Sequence, residues 1–386
     1  MSPPTPTAQP PRGLPLLRRI PVLLRLGILL ASGSYVLALV LWIAALRGLG
    51  EHHWLTGLAL FLPPQGWLLP LAVLVPLQLV LRPPLLLLSL GCLGLVLGFH
   101  MRPQAREAKL RIPGTEHLVL VSNNVGQRSL ATLQPFLEAH RPDLLLLQEC
   151  RGPAWRTLAD SGPPAEAAQE GEFGLLSRHP IRSHGWVPGL GPGPGGSASA
   201  AWFEVEIAGQ TVMVYNVHFP TPRPLLEVLS RRNPLRLLHG LAYRLTRSGR
   251  REATTWFKHR RELHRRLRDH LAGERRPFVV GGDFNLSSAG PEYRAFARIW
   301  TDTFTACGSG YGHTVPGTTR NLLTGGQPWL RIDYLFAGPG WAPHGFAVEP
   351  AVPAQHRAVA VVLARPTPGP RESPTTAGPV ATDRER

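Results

Sequence analysis

Two packed β-sheets flanked by helices, an α/β architecture placed behind N-terminal transmembrane helices, is the fold class this sequence predicts. Three observations point to it. The first hundred residues carry long uncharged apolar runs, whereas the rest of the chain carries short ones separated by turn residues. Those short runs recur with few long helical patterns between them, which favours stacked sheets over a regular βαβ alternation. Several of them end in a carboxylate, an amide or an imidazole.

The elements follow in order. Residues 1–25 form an N-terminal segment with Arg12, Arg18, Arg19 and Arg25. Residues 26–46, "LGILLASGSYVLALVLWIAAL", supply the ~20 uncharged apolar residues that cross a hydrocarbon core, with no small-residue cleavage site. Residues 54–81 and 84–99, interrupted by Pro63, Pro64, Pro83 and Pro84, extend a transmembrane region of about three helices over 26–100. The arginines ahead of the first span place the N-terminus in the cytoplasm, and three crossings then put the remainder outside the cell. Arg102, Arg106, Lys109 and Arg111 argue the other way, and two spans would reverse the assignment.

A linker at 101–115 leads to a folded domain at 116–365. Its expected strands are 117–127, 142–150, 173–181, 201–209, 210–220, 277–285, 329–338 and 356–364, with helices near 129–140 and 252–271. "PDLLLLQEC" (142–150) is continuously apolar, as expected of a strand covered on both faces. The stretch 189–200 is read as a flexible loop and the Pro/Thr-rich tail 366–386 as disordered.

The formal net charge is +16 and nearly all the cations are arginine, which suits an anionic partner: phospholipid headgroups, polyprenyl phosphates or nucleic acid. Cys92, Cys150 and Cys307 form no CxxC or CxxH pattern, which argues against zinc and thiol-redox chemistry; Cys150 and Cys307 are expected as buried free thiols rather than a disulfide. Nothing in the chain calls for an obligate protein partner.

The polar groups that end apolar runs are Asn124, Glu149, His218, Asp283, Asn285, Asp333 and His356. If the strand ends converge, they line a pocket rich in hard oxygen donors with two imidazoles and no thiolate, which favours magnesium, with manganese as the alternative. Taken singly, Asn124 and Asn285 read as turn formers and His218 and His356 as structural histidines. Glu149 and Asp333 are less easily explained away, because an unpartnered carboxylate beside an apolar run is costly.

In order, "SNNV", "LLQE", "YNVHF", "GGDFN", "RIDYLF" and "QHRAV" resemble the motifs of the endonuclease/exonuclease/phosphatase superfamily, the metal-dependent phosphoesterases that include DNase I-like nucleases, over roughly 117–364. The resemblance implies a four-layer DNase I-like sandwich as the catalytic domain. It implies that Asn124 and Glu149 help to hold the metal, that His218 contacts the scissile phosphate, that Asp283 and Asn285 position and activate water, and that Asp333 orients His356. Gln355 stands where the family commonly has an acidic residue; it is expected to weaken metal binding or to substitute an amide oxygen. Arg178, in "LLSRHP", is expected at the edge of the site as support or as a substrate contact.

The segment 224–247 interleaves leucines with Arg231, Arg232, Arg236, Arg244 and Arg247, the pattern of an interfacial helix on anionic lipid, or equally of a surface helix with a basic face. Three spans ahead of this domain resemble the layout of the teicoplanin-resistance membrane proteins, which implies a polyprenyl-pyrophosphate substrate. Hydrolysis of a lipid-linked phosphate at a multi-pass cell-membrane protein is therefore the expectation. A membrane-tethered nuclease is the rival, disfavoured because only Tyr243, Trp256 and Phe257 could stack bases in the basic stretch. A catalytically silent lipid-binding adaptor, supported by Gln355 alone, is the third reading.

Overall fold

A computed structural model describes residues 14–106, 117–126, 133–150, 155, 158, 166–193, 198–226, 240, 242–317, 319–350 and 355–364. The expected tail, most of the linker, residues 129–132 and most of the leucine- and arginine-rich segment lie outside the described residues.

In chain order the strands are β1 (Gln104–Ala105), β2 (His117–Asn124), β3 (Leu144–Gln148), β4 (Glu166–Glu170), β5 (Phe173–Ser177), β6 (Ile181–Trp186) and β7 (Ala200–Ile207). There follow β8 (Gln210–His218), β9 (Phe278–Asp283), β10 (Thr301–Asp302), β11 (Ser309–Gly310), β12 (Asp333–Ala337), β13 (Ala342–Val348) and β14 (Val359–Ala364). β1 and β11 pair with each other, and the remainder build two six-stranded sheets ordered β13-β14-β2-β3-β5-β4 and β10-β12-β9-β8-β7-β6. Both are mixed: β2 runs parallel to β3 and β8 parallel to β9, while the other pairings within the sheets are antiparallel. Every expected strand is present, and β7 and β8 turn at Ala208 and Gly209, both at positive φ (49° and 73°), the backbone a two-residue hairpin requires.

The period of two along each strand builds the layers. Leu118 and Leu120 of β2, Leu144 and Leu146 of β3, Val212 and Val214 of β8, Val279 of β9 and Leu335 of β12 face one another between the sheets. Their alternates point outward: Met213, Tyr215 and Val217 meet Leu263, Leu267 and Leu271 of the helix Arg247–Gly273, and Leu145 and Leu147 meet Phe136 and Leu137 of the helix Gln134–His140. The result is helix, sheet, sheet, helix. Cys150 and Cys307 are buried free thiols, as is Cys92.

Ahead of the domain, Val22–Gly48, Pro64–Leu81 and Pro83–His100 are long and apolar enough to cross a membrane. Between the first two, Trp54–Ala59 folds back onto the domain. Gly57 sits against Phe257 so closely that a Cβ there would lie 2.7 Å from the ring. Leu46, Leu58, Leu60 and Phe61 form one apolar cluster with Ala253, Phe257, Ala289 and Ile332, so the end of the first long apolar helix and the surface of the two-sheet domain share a core.

Candidate active site

The inner face of each sheet changes from apolar to polar toward the same end. On β2 the inward sequence Leu118, Leu120 continues to Ser122 and Asn124; on β8, Val212 and Val214 continue to Asn216 and His218; on β9, Val279 continues to Gly281 and Asp283. The register places His218 opposite Asp283, and Asp283 opposite Asp333. Parity and parallel pairing thus deliver Asn124, His218 and Asp283 to one end of the cleft between the sheets, and the antiparallel start of β12 brings Asp333 to the same end.

Asp283 is the hub. Its Oδ1 accepts from the backbone N–H of Asn285 at 2.9 Å, which leaves Oδ2 facing Asn124 Nδ2 at 3.2 Å, His356 Nε2 at 3.6 Å and His218 Nε2 at 3.7 Å. Burial pushes its carboxyl up, His356 draws it back down, and Asp333 pushes it up again. His356 is buried; its Nδ1 lies 3.0 and 3.1 Å from the two oxygens of Asp333. Burial alone would lower that imidazole, but Asp333 and then Asp283 outweigh it and hold it up at about 9. The ring is therefore an imidazolium at neutral pH.

His218 stands at the mouth, with Nδ1 2.9 Å from Glu172 Oε1 and Nε2 3.8 Å from Glu149 Oε1. Burial lowers its pKa, but the bond to Glu172 and the Asp283 carboxylate outweigh that and raise it. Asn124 Nδ2 also donates to Glu149 Oε1 at 3.1 Å, and its Oδ1 accepts from Gly126 N–H at 3.0 Å. Glu149 (φ 57°), directly after β3, and Asn285 (φ 49°), two residues past the end of β9, both take left-handed backbone. For a glutamate that conformation is uncommon, and it turns the carboxylate out of the strand and back over Gly126. Asn285 is braced by its Nδ2 donating to the Phe219 carbonyl at 2.9 Å.

Two groupings could hold a divalent cation. Asp283, Asp333 and His356 offer ligand atoms within 4.8 Å of one another. The second, richer in hard oxygens, is Glu149 beside Asp283; Asn124 borders it with Nδ2 turned toward both carboxylates and Oδ1 on Gly126 N–H, so its amide would have to rotate to add an oxygen. These are hard oxygen donors, matching magnesium or manganese. The neighbouring thiol, Cys150, packs in the core beneath the outer face, where burial pushes it up to about 12.

The site thus gathers Asn124, Glu149, His218, Asp283, Asn285, Asp333 and His356, and Gln355 lies beside them, half-buried, its backbone carbonyl accepting from Gly317 N–H. Arg178 does not join them. Its guanidinium pairs with Asp143 at 3.5 Å, and the adjoining Ser177 aligns with Leu144 at the start of β3, whereas the site lies past that strand's far end at Gln148. In sequence, Gly281 and Gly282 ahead of Asp283 suggest a backbone that turns sharply to approach a bound phosphate, and the structure differs. Both residues lie inside β9, where a Cβ on Gly281 would meet Leu335 at 2.5 Å and Leu146 at 3.0 Å, and one on Gly282 (φ 138°) would meet the Val217 carbonyl at 2.0 Å. They permit close approach of strands and sheets.

Several supporting residues escape a motif-based reading. Gln148 Nε2 donates to Asn216 Oδ1 at 2.7 Å and to Ser122 Oγ at 3.2 Å, and Asn216 Nδ2 donates to the Leu147 and Gly174 carbonyls, so a buried amide network ties the sheets beneath the site. Strand parity marks both residues as inward-facing. Arg260, fully buried on the long helix, donates to the carbonyls of Phe284 and Asn285 and so holds the loop after Asp283. Glu172, the partner of His218, carries no local signal at all.

No curated relative matches the chain. Among solved structures, similarity extends to an endonuclease/exonuclease/phosphatase family protein from Bacteroides thetaiotaomicron, 16% identical over 64% of this chain and 98% of that one, with a TM-score of 0.44. It extends likewise to the mannosyl-6-phosphatase of the same organism (16% identity, 64% and 99% covered, TM-score 0.43) and to truncated Caenorhabditis elegans TDP2 (17%, 64% and 97%, 0.41). Residues 122–356, which run from the end of β2 to His356 and so span every residue of the site just described, match the Endonuclease/Exonuclease/phosphatase family, and the chain belongs to that family of phosphoesterase hydrolases.

Proposed function

We propose that this chain is a membrane-anchored, divalent-metal-dependent phosphoesterase that hydrolyses a phosphate ester or pyrophosphate carried on a lipid, a polyprenyl pyrophosphate or a phospholipid headgroup. The observation that carries the reading is the shared core between the first apolar span and the catalytic domain, which leaves the hydrolytic site on a domain packed directly against candidate membrane helices. A substrate confined to the bilayer would meet such a site without leaving it. The layout of spans ahead of the domain, similar to that of the teicoplanin-resistance membrane proteins, supports a polyprenyl pyrophosphate on the extracytoplasmic face.

The residues divide the work. A cation held by Glu149 and Asn124, magnesium or manganese, would neutralise phosphate oxygens as charge builds on them. Asp283 Oδ2 takes the proton of the attacking water while Oδ1 stays fixed by Asn285. As the water oxygen bonds to phosphorus, the bond to the leaving oxygen breaks and that oxygen departs with the electron pair. His356, carrying a proton on Nε2 beside Asp283, donates to a phosphoryl oxygen, and Asp333 keeps it charged for that task; His218, its Nδ1 held by Glu172, stands beside Asp283 to contact the phosphate.

The test is phosphate release by detergent-purified protein from a polyprenyl pyrophosphate, with magnesium or EDTA, beside nicking of plasmid DNA. Magnesium-dependent release without nicking supports the proposal. Nicking alone makes the chain a tethered nuclease, and silence on both substrates favours the adaptor reading.

A further inference from the structure

A second polar cavity, of about 380 Å³, opens where the chain leaves the third apolar span. It is lined by Arg102 from the residues just after that span, by Arg294 and Arg298 at the helix Pro291–Ala297 and its C-terminal end, and by Ser288 and Tyr311. Arg331 lines it as well, but Asp302 neutralises that guanidinium at 2.8 Å. Among the described residues no carboxylate forms an ion pair with Arg102, Arg294 or Arg298. Arg294 is spent partly on backbone, donating to the Ala289 carbonyl at 2.8 Å and to the Arg47 carbonyl at the end of the first span. Burial lowers its pKa, Glu51 opposes that, and Arg298 and Arg102 lower it further, so these guanidinium groups repel one another.

Clustering like charges around a concavity is unfavourable unless an anion completes it. Guanidinium forks and hydroxyls are the donors that suit a phosphate. None of Asn124, Glu149, His218, Asp283, Asp333 or His356 lines this cavity, so it is separate from the hydrolytic site. We propose that the cavity bounded by Arg102, Arg294 and Arg298 binds a phosphate-bearing anion at the junction of the third span and the catalytic domain. At that depth the anionic headgroup of a phospholipid is one source of the phosphate and a soluble phosphate or pyrophosphate is the other. Ser288, which lines this cavity, lies three residues beyond Asn285. The site does not depend on the reaction proposed above, since it needs no turnover.

The test uses the full chain in an uncharged detergent with EDTA, with His218→Ala and His356→Ala introduced to silence phosphate binding at the hydrolytic site. Short-chain phosphatidylglycerol, short-chain phosphatidylcholine and pyrophosphate are titrated separately by thermophoresis, with and without Arg102→Gln and Arg298→Gln. Both arginines are exposed, so their loss leaves the fold and, in the otherwise native chain, hydrolysis of a small soluble phosphodiester intact. The expected result is phosphatidylglycerol binding that weakens on the order of 30-fold in the arginine variant, with phosphatidylcholine weak throughout. Pyrophosphate binding that weakens equally, with phosphatidylglycerol not bound, supports the site and assigns it a soluble phosphate. Binding of either anion that is unchanged in the arginine variant, or binding of neither by the parent chain, overturns the proposal.

Discussion

Replacing Asp333 with Asn tests how the site keeps His356 charged. An ordinary imidazole titrates near 6.5 and His356 is held at about 9; at about 1.4 kcal/mol per pH unit the folded site favours the charged ring by roughly 3 kcal/mol. Asp333 is the largest of the three carboxylate contributions, ahead of Asp283 and Glu149, that together outweigh burial. Without it the ring is expected to titrate about two units lower, and to be largely neutral at pH 8. The pKa is raised, so the stabilisation is full below pH 6.5 and is lost as pH rises through about 9; the stability gap between wild type and Asp333→Asn should be widest near pH 6 and close above pH 9. The His Cε1–H resonance, followed by NMR in EDTA and assigned with His356→Gln, reads the pKa directly. In magnesium the variant should lose turnover at pH 8 on the order of 100-fold, the usual scale for one lost donor to a developing oxyanion. A resonance that still titrates near 9 in Asp333→Asn, or wild-type turnover at pH 8, would refute the reasoning.

Three further substitutions separate structural from chemical roles. Gly282→Ala places a methyl carbon into the Val217 carbonyl at a φ of 138°, and the melting temperature should fall sharply, corresponding to at least ~2 kcal/mol, with soluble yield as a second readout. Glu172→Gln removes the charge that lifts His218; its titration should move to lower pH and kcat on a soluble phosphodiester should drop about tenfold, with metal affinity preserved. Arg178→Ala breaks a pair with Asp143 at the far end of the sheet, so kcat and KM should match wild type within experimental scatter.

How far the sequence carried depended on whether the signal was local. Short apolar runs bounded by turn residues, such as Leu144–Leu147, announce strands in the domain, whereas the same four leucines at 85–88 lie in a long apolar stretch and are helical; the polar residues closing the short runs, Asn124, His218 and Asp283, announced one edge of a cleft because two parallel pairings align those ends. The period of two also marks Gln148 and Asn216, whose inward-facing amides stand in line with Leu146 and Val214; reading runs without parity passed over them. Arg178 was misplaced because closeness to a strand says nothing about which end of the sheet it occupies. Arg260 could not be singled out from an arginine-rich helix: only packing shows that this guanidinium turns inward to the carbonyls after Asp283. The glycines of "GGDFN" look like a phosphate loop in sequence, yet tight inter-strand and inter-sheet contacts are what require them. Glu172 reaches His218 only because β4 and β5 fold back on each other, a pairing absent from the local sequence.

On the proposed mechanism the cleft divides into a metal-holding side, Glu149 with Asn124, and a proton-handling side, Asp283 with Asp333 and His356. Manganese binding to the full chain, followed by electron paramagnetic resonance in wild type, Glu149→Gln and His356→Gln, tests that division directly. Manganese affinity should collapse in Glu149→Gln and persist in His356→Gln, while both variants lose turnover. Metal retained in Glu149→Gln and lost in His356→Gln would place the cation among Asp283, Asp333 and His356 and contradict the account.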